Sequence, residues 1–387
     1  MEFNVFQNNK ALMKVQEENG WKLYKFDDIL IDDTRNAIKI KKELYLEYGE
    51  YPIIDQGKNE IAGYTNEVEG IYKEEALVFG DHTRIIKYID FPIFLGADGV
   101  KLLKLKSNKE KISIKYLYYF LNTVKLPSDG YSRHFKYLKQ IVIPVPELDI
   151  QMKIVKCLDK ANELIDKRKK QIDILDELVK SKFIEMFGDP VTNPKGWEKK
   201  KLNELGELSR GKSKHRPRNA PELLGGPYPL VQTGDIANAG IYLKEYTQTY
   251  SELGLKQSKM WDKGTLCITI AANIAKTSIL TFDACFPDSV VAFIPNDKTN
   301  NMFIQFWMFF LQKILEDSAP ESAQKNINLK ILSEQNVIVP PIELQNQFAD
   351  FVKQVDKLKF EMEKSLKELE DNFNSLMQRA FKGELFN

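Results

Sequence analysis

The 387-residue sequence holds little that would commit it to a cofactor or a membrane. It has three cysteines, Cys157, Cys267 and Cys285, none in a C-x-x-C pair. They form neither a disulfide framework nor a zinc ribbon, and read as small buried residues in a reducing cytosol. The three histidines, His82, His134 and His215, lie far apart, with no cysteine or carboxylate spacing that makes a metal site. No apolar run approaches the ~18 residues of a membrane helix, and the opening residues lack the basic-then-apolar layout of an export signal. No two glycines stand at i and i+2, which removes the usual dinucleotide loop. The net charge is only +1, so any surface for a polyanion must be local. The expectation is a cytoplasmic globular protein with no metal, no cofactor of its own and no membrane contact.

Local charge is present. Residues 195–218 hold nine Lys/Arg against three Glu, and residues 101–115 six Lys against one Glu. Within the first stretch, "GELSRGKS" at 206–213 satisfies G-x-x-x-x-G-K-[ST], the phosphate-cradling P-loop pattern. A P-loop needs a buried strand before it and a helix starting at its Lys-Ser. Upstream, "WEKKKLNEL" is too charged for a buried strand. Downstream, Pro217, Pro221, Gly225, Gly226 and Pro227 forbid the helix. The motif fails on context, and nucleotide binding is not expected.

The chain is written twice. Gly20-Trp21 recurs as Gly196-Trp197 at an offset of 176, and "YPIIDQGKNEIAG" (51–63) as "YPLVQTGDIANAG" (228–240) at 177. "ALVFGD" (76–81) matches "TLCITI" (265–270) at 189, and "ADGVKLL" (97–103) matches "PDSVVAF" (287–293) at 190. "IVIPVPELDIQ" (141–151) matches "VIVPPIELQNQ" (337–347) at 196. Weak anchors in one order with rising offsets indicate duplication. Each half opens with short apolar, β-branched segments broken by Gly, Pro and Asn, plus one aromatic-rich helix, at 112–124 and 301–315. The aromatic stripes read as core, and the pattern predicts a mixed α/β globule.

Each half then ends in a long helix, because 147–187 and 342–382 contain no Gly or Pro. In the first, Ile154, Leu158, Ala161, Ile165, Ile172, Leu175 and Val179 alternate at 4-3 spacing, broken by Arg168. In the second, Phe351, Val355, Leu358, Met362, Leu366, Leu369, Phe373, Leu376 and Ala380 do so, with a slip between Met362 and Leu366. Such seams bury against a partner helix, and two of equal length pair most simply with each other. Some 39 residues make a rod of roughly 58 Å. The expected fold class is α+β: two tandem, similar mixed α/β domains separated by two long antiparallel coiled-coil helices, pseudo-twofold symmetric. The expected boundaries are an N-terminal extension (1–19), a first globule (20–146), a first spacer helix (147–187), a linker (188–195), a second globule (196–341), and a second spacer helix with tail (342–387).

The paired P-x-P-E-L-x-x-Q and P-P-x-E-L-x-x-Q segments, with "MFGDPVTNPKGW" joining the halves, are quite specific together. On these the chain resembles the specificity subunit of type I restriction–modification systems, over nearly everything from Gly20 onward. The resemblance implies that each globule is a target recognition domain reading half of a bipartite site in double-stranded DNA. It implies that the helices set the gap and dock two modification (methyltransferase) subunits, with restriction (translocase/nuclease) subunits in the full complex. Methylation and cleavage would then reside in the partners, which would use S-adenosylmethionine, and ATP with Mg for restriction. The chain's own residues agree: "DPV" and "NPK" at 189–195 lack the second proline and the aromatic of an amino-methyltransferase motif. No catalytic residue is expected. A two-headed coiled-coil scaffold that binds proteins instead of DNA remains the alternative reading.

Base and phosphate contacts need polar and basic side chains on exposed loops. In the first half the candidates are Gln56, Lys58 and Asn59; His82, Thr83 and Arg84; Lys101; and Tyr131, Ser132, Arg133, His134 and Lys136. In the second they are Arg210, Lys212, Lys214, His215, Arg216 and Arg218; Gln232, Thr233 and Asp235; Asn273, Lys276 and Thr277; and Ser322, Gln324, Lys325 and Asn326.

Overall fold

The structure is a computed structural model that describes residues 19–96, 99–107, 111–127, 132–271, 274–318 and 327–386. The chain divides into two compact units, one running to Lys169 and resuming at Lys364, the other Lys170–Glu363. Each unit therefore contains one globule and a segment of both long helices. Packing cuts both long helices midway, so the compact units do not follow sequence order.

In the first unit an antiparallel sheet has the strand order Leu30–Asp32, Val100–Leu105, Ala76–Gly80, Ile86–Ile89. A second sheet orders Lys39–Ile40, Phe94–Gly96, Tyr51–Ile54 and Gly63–Thr65. In the second unit five strands run Gly206–Arg210, Val290–Pro295, Leu266–Thr269, Thr277–Leu280, Tyr242–Leu243. Four more run Gln248–Tyr250, Leu224–Leu230, Ala284–Cys285, Met260–Trp261. All five residues of Ala76–Gly80 and all four of Leu266–Thr269 are buried, which explains why Thr269 alone among them carries a polar side chain.

The aromatic helices are Ile114–Asn122 and Asn301–Ser318, and their stripes are core as the sequence predicts. Tyr116, Leu117 and Leu121 are buried in one, Phe303, Ile304, Trp307 and Met308 in the other. Burial pushes the Tyr116 phenol well above its ordinary pKa, and its hydroxyl donates to the Pro144 carbonyl at 2.6 Å. Cys267 and Cys285 are buried, and burial pushes both thiols up, which leaves them unreactive. Cys157 is half-buried, on the first long helix.

The long helices, Leu148–Phe187 and Ile342–Phe381, have forty residues each. Within the second unit they pack antiparallel: Asp176 pairs with Lys359, while Phe183 and Phe187 meet Phe348 at 5.4 and 5.5 Å between ring centroids. Within the first unit Lys169 pairs with Glu370 at 3.2 Å, and Ile154, Val155 and Leu158 share a core with Phe373, Leu376 and Ala380.

Two sequence expectations change here. The repeat register at the proline motif is 194, not 196. Leu23 pairs with Pro144 in the ribbon that closes the first globule, and Lys199 pairs with Ile338 in the second. The long helices begin at Leu148 and Ile342, which is the same spacing. Leu358, placed in the seam by sequence, is 47% exposed, and Lys359 takes its position, with its ammonium on Asp176. With Lys359 included, the seam runs Phe348, Val352, Val355, Lys359, Met362, Leu366, Leu369, Phe373, Leu376, Ala380. That is an unbroken 4-3 alternation, so no slip exists. A lysine with an apolar stem and a paired head fills an apolar position, which residue type alone hides.

Candidate nucleic-acid interface

In the first unit, loops far apart in sequence converge on the C-terminal end of strand Ala76–Gly80. The Asp81 N–H donates to the Gly99 carbonyl at 2.7 Å, and the Asp81 carbonyl accepts the His134 N–H at 2.8 Å. The buried Asp81 carboxylate accepts the Phe135 N–H at 2.8 Å. Thr83 Oγ1 donates to the Gln56 carbonyl at 2.7 Å, and the His82 N–H to Gln56 Oε1 at 3.3 Å. His82 Nδ1 lies 3.3 Å from the Ser132 carbonyl. All four predicted loops thus share one hub. Gly99 is required there: its φ is +64°, and a Cβ would stand 2.7 Å from Gln56 Nε2 and 2.8 Å from His82 Cδ2. Arg84 closes the turn at a φ of 65°, a region an arginine enters only when its surroundings hold it.

Of the predicted contacts in this unit, Lys58, Asn59, Thr83, Arg84, Arg133 and Lys136 are exposed, and Gln56, His82 and Ser132 half-buried. Lys101 is half-buried, with its ammonium 2.8 Å from Asp32 and 5.1 Å above the Phe135 ring. Burial alone would raise the Asp32 pKa, but Lys101 and the Thr34 hydroxyl and N–H outweigh it and hold the carboxyl below its usual range. His134 is a correction. It is 1% exposed, and Nδ1 lies 3.0 Å from the Asp81 carbonyl, so it pins the hub instead of facing solvent. Tyr131 lies outside the described residues.

Sequence reasoning missed Lys87. Its side chain is buried, and Nζ donates to the Asn59 carbonyl at 2.5 Å, with the Asp55 carboxylate 3.9 Å away. Burial pushes its pKa down against the opposing pull of Asp55 and Glu60. The signal was a lone lysine in the apolar strand Ile86–Ile89, flanked by Ile86 and Tyr88.

In the second unit, "GELSRGKS" becomes the edge strand Gly206–Arg210, paired antiparallel with Val290–Pro295, followed by irregular chain at 211–216. No helix starts at Lys212-Ser213, and Ser213 is buried. A Cβ at Gly211 would collide with the carbonyls of Phe286 and Pro287, so this glycine serves close backbone approach and not a phosphate. The loop is stitched from outside: Gln257 Oε1 accepts the N–H groups of Lys214 and His215 at 2.6 and 3.1 Å, and Ser258 Oγ donates to the Lys212 carbonyl at 2.8 Å. Lys212, Lys214, His215, Arg216 and Arg218 are exposed.

The other predicted contacts in this unit separate. Asp235 is a helix cap: its carboxylate accepts the Gln232 N–H at 2.8 Å at the start of helix Thr233–Asn238. Gln232 Nε2 reaches Gln248 at 3.1 Å, and Thr233 begins that helix. Lys276 and Thr277 line a cleft of about 520 Å³ with Phe306, Phe309, Val355 and Lys359, whose walls do not include the basic loop. Lys276 Nζ donates to Gln312 there at 3.3 Å. Asn273, Ser322, Gln324, Lys325 and Asn326 lie outside the described residues.

Comparison with known proteins follows the duplication in the sequence. The family model described as type I restriction modification DNA specificity domain matches residues 18–175 and again 194–371. The specificity subunit of the Escherichia coli enzymes EcoR124I/EcoR124II is 27% identical, with 68% of each chain covered. The MjaVIII specificity subunit of Methanocaldococcus jannaschii is 22% identical over all of this chain and 97% of its own. Among solved structures, the type I S subunit from M. genitalium superposes with a TM-score of 0.56 at 17% identity, covering 93% of this chain and 96% of that one. With the family model matched twice over most of its length, this chain belongs to the type I restriction–modification DNA specificity family.

Proposed function

We propose that this chain is the DNA-reading subunit of a type I restriction–modification complex. Each globule reads one half of a bipartite, asymmetric site, and the long helices set the gap and dock two adenine methyltransferase subunits. The observation that carries this is the convergence of four polar loops, spread over residues 55–136, on a single hub at the end of strand Ala76–Gly80. Loops clamped to a rigid sheet can hold Lys58, Asn59, Arg133 and Lys136 against a groove without a large ordering cost. The second globule supplies a basic loop instead, so its half-site differs. A forty-residue helix is about 60 Å long, on the order of 18 base pairs at ~3.4 Å per pair, which leaves room for two short half-sites centred roughly one turn of duplex apart. Methyl transfer with S-adenosylmethionine, and cleavage with ATP and Mg, belong to the partner subunits.

Selection from random duplex pools by the chain assembled with its modification subunits tests this reading. Enrichment of a split sequence with a fixed gap is expected. Recovery of no split sequence would instead favour a two-headed protein scaffold.

A further inference from the structure

Three arginines of the second unit's basic segment converge on one residue, Asp288. Arg210 Nε and Nη2 both donate to the backbone carbonyl of Asp288, at 2.8 and 2.6 Å. Arg218 Nη2 lies 2.6 Å from Asp288 Oδ1, and Arg216 Nη2 3.7 Å from Oδ2. Arg216 Nη1 in turn donates to the Ser213 and His215 carbonyls, at 2.6 and 2.8 Å. Asp288 sits in the turn entering strand Val290–Pro295, whose Val291 pairs with Arg210, so it is fixed by the sheet. The backbone carbonyl of Asp288 fixes the Arg210 fork, while its carboxylate pairs by charge with Arg216 and Arg218; one carboxylate against three guanidiniums leaves the spot net positive.

We propose that Asp288 is a positioning residue for sequence reading by the second globule: its carboxylate holds Arg216 and Arg218 in register for one half-site, beside an Arg210 held by its backbone carbonyl. The inference rests on the DNA-reading function above. Guanidiniums recognise guanine edges and phosphates through rigid, paired donors, so orientation counts as well as charge. An acidic residue facing DNA is a cost if charge alone mattered; as an organiser it trades general attraction for discrimination.

The two views predict opposite results for Asp288→Asn, measured on the complex with its modification subunits. The probes are the selected duplex and versions scrambled in either half, each at several salt concentrations. Positioning predicts that discrimination at one half-site falls fivefold or more, discrimination at the other stays within twofold, and affinity for scrambled DNA holds or rises. A fall smaller than fivefold, or an equal fall at both half-sites, overturns the proposal while leaving DNA reading intact. If the unaltered complex discriminates neither half, the DNA-reading function itself fails, and this inference with it. Because the ion pairs are about half exposed, Asp288→Asn should fold; equal heat-unfolding midpoints check this. Arg218→Gln provides a second arm: combined with Asp288→Asn it should lose no more than the larger single loss, and additive losses overturn the pairing.

Discussion

Gln151 and Gln345 hold the same post in their respective units. Both are fully buried, and each Nε2 donates at 2.8 Å to a proline carbonyl five residues earlier, Pro146 or Pro340. Each Nε2 also reaches a lysine carbonyl, Lys111 at 3.1 Å or Lys298 at 3.0 Å. Each Oε1 accepts the N–H of the residue that caps an aromatic helix, Ser113 at 2.9 Å or Asn300 at 3.3 Å. Equivalent in the structural register of 194, though not in the proline motif as aligned by sequence, the two glutamines each tie the start of a long helix to the cap of the helix beneath it. Replacing either by leucine strands these buried backbone groups. A loss of roughly 2–4 kcal/mol is expected for each. Urea unfolding gives the total, and amide exchange at Ser113 for Gln151→Leu, or Asn300 for Gln345→Leu, gives the location.

Lys359 occupies an apolar seam position and pairs with Asp176 at 2.6 Å, both side chains partly exposed. Such a pair is worth about 0–1 kcal/mol, less than an extra buried leucine. Lys359→Leu should therefore stabilise the protein, by about 0.5–1.5 kcal/mol. A lower denaturation midpoint would show the ion pair to be worth more than its exposure suggests.

The buried tyrosines set an alkaline limit. The Tyr116 pKa is raised in the folded protein, so the stability linked to its neutral form is complete below the unfolded value near 10 and is lost as pH rises above it. Tyr88 and Tyr119 are raised in the same direction by burial and by their bonds to Glu75 and Asp159. Tyr116→Phe should cost about 0.5–1.5 kcal/mol at pH 7 through the lost bond to Pro144, and should flatten the decline above pH 10. Chemical denaturation at stepped pH checks both.

Lys87 has the opposite sign. Its folded pKa is lowered, so the unfolded chain binds more protons between that value and 10.5, and its contribution to stability rises with pH there. The stability of the natural protein relative to Lys87→Met should therefore rise over this range. The variant should also release the 55–60 loop, seen as faster amide exchange at Gly57, and weaken binding of DNA carrying the first half-site.

Exposed lysines of the basic loop should act through phosphate. Lys212→Ala is expected to reduce the slope of log affinity against log salt by about 0.9, without changing which sequences are selected. Equilibrium dialysis of the chain with labelled ATP should show no saturable binding; saturable binding lost in Lys212→Ala would restore the nucleotide reading of "GELSRGKS".

The duplication, the two long helices and the aromatic cores were legible because they rest on periodicity, on the absence of Gly and Pro, and on apolar content. The four loops of the first unit were also found, since turn chemistry and charge mark exposed chain. Their convergence was not legible. It depends on bonds spanning tens of residues, such as Thr83 to Gln56 and His134 to Asp81. His134 and Lys87 have the residue types of contacts but the surroundings of anchors, and Asp235 caps a helix.

By itself, then, the sequence determined the repeat, the element types and the chemistry offered on each loop, because those follow from local spacing and side-chain type. Only the tertiary structure decided the register of 194, the place of Lys359 in the seam and the gathering of three arginines on Asp288. Each of those depends on a partner distant in the chain, and a side chain's role is set by what it meets there.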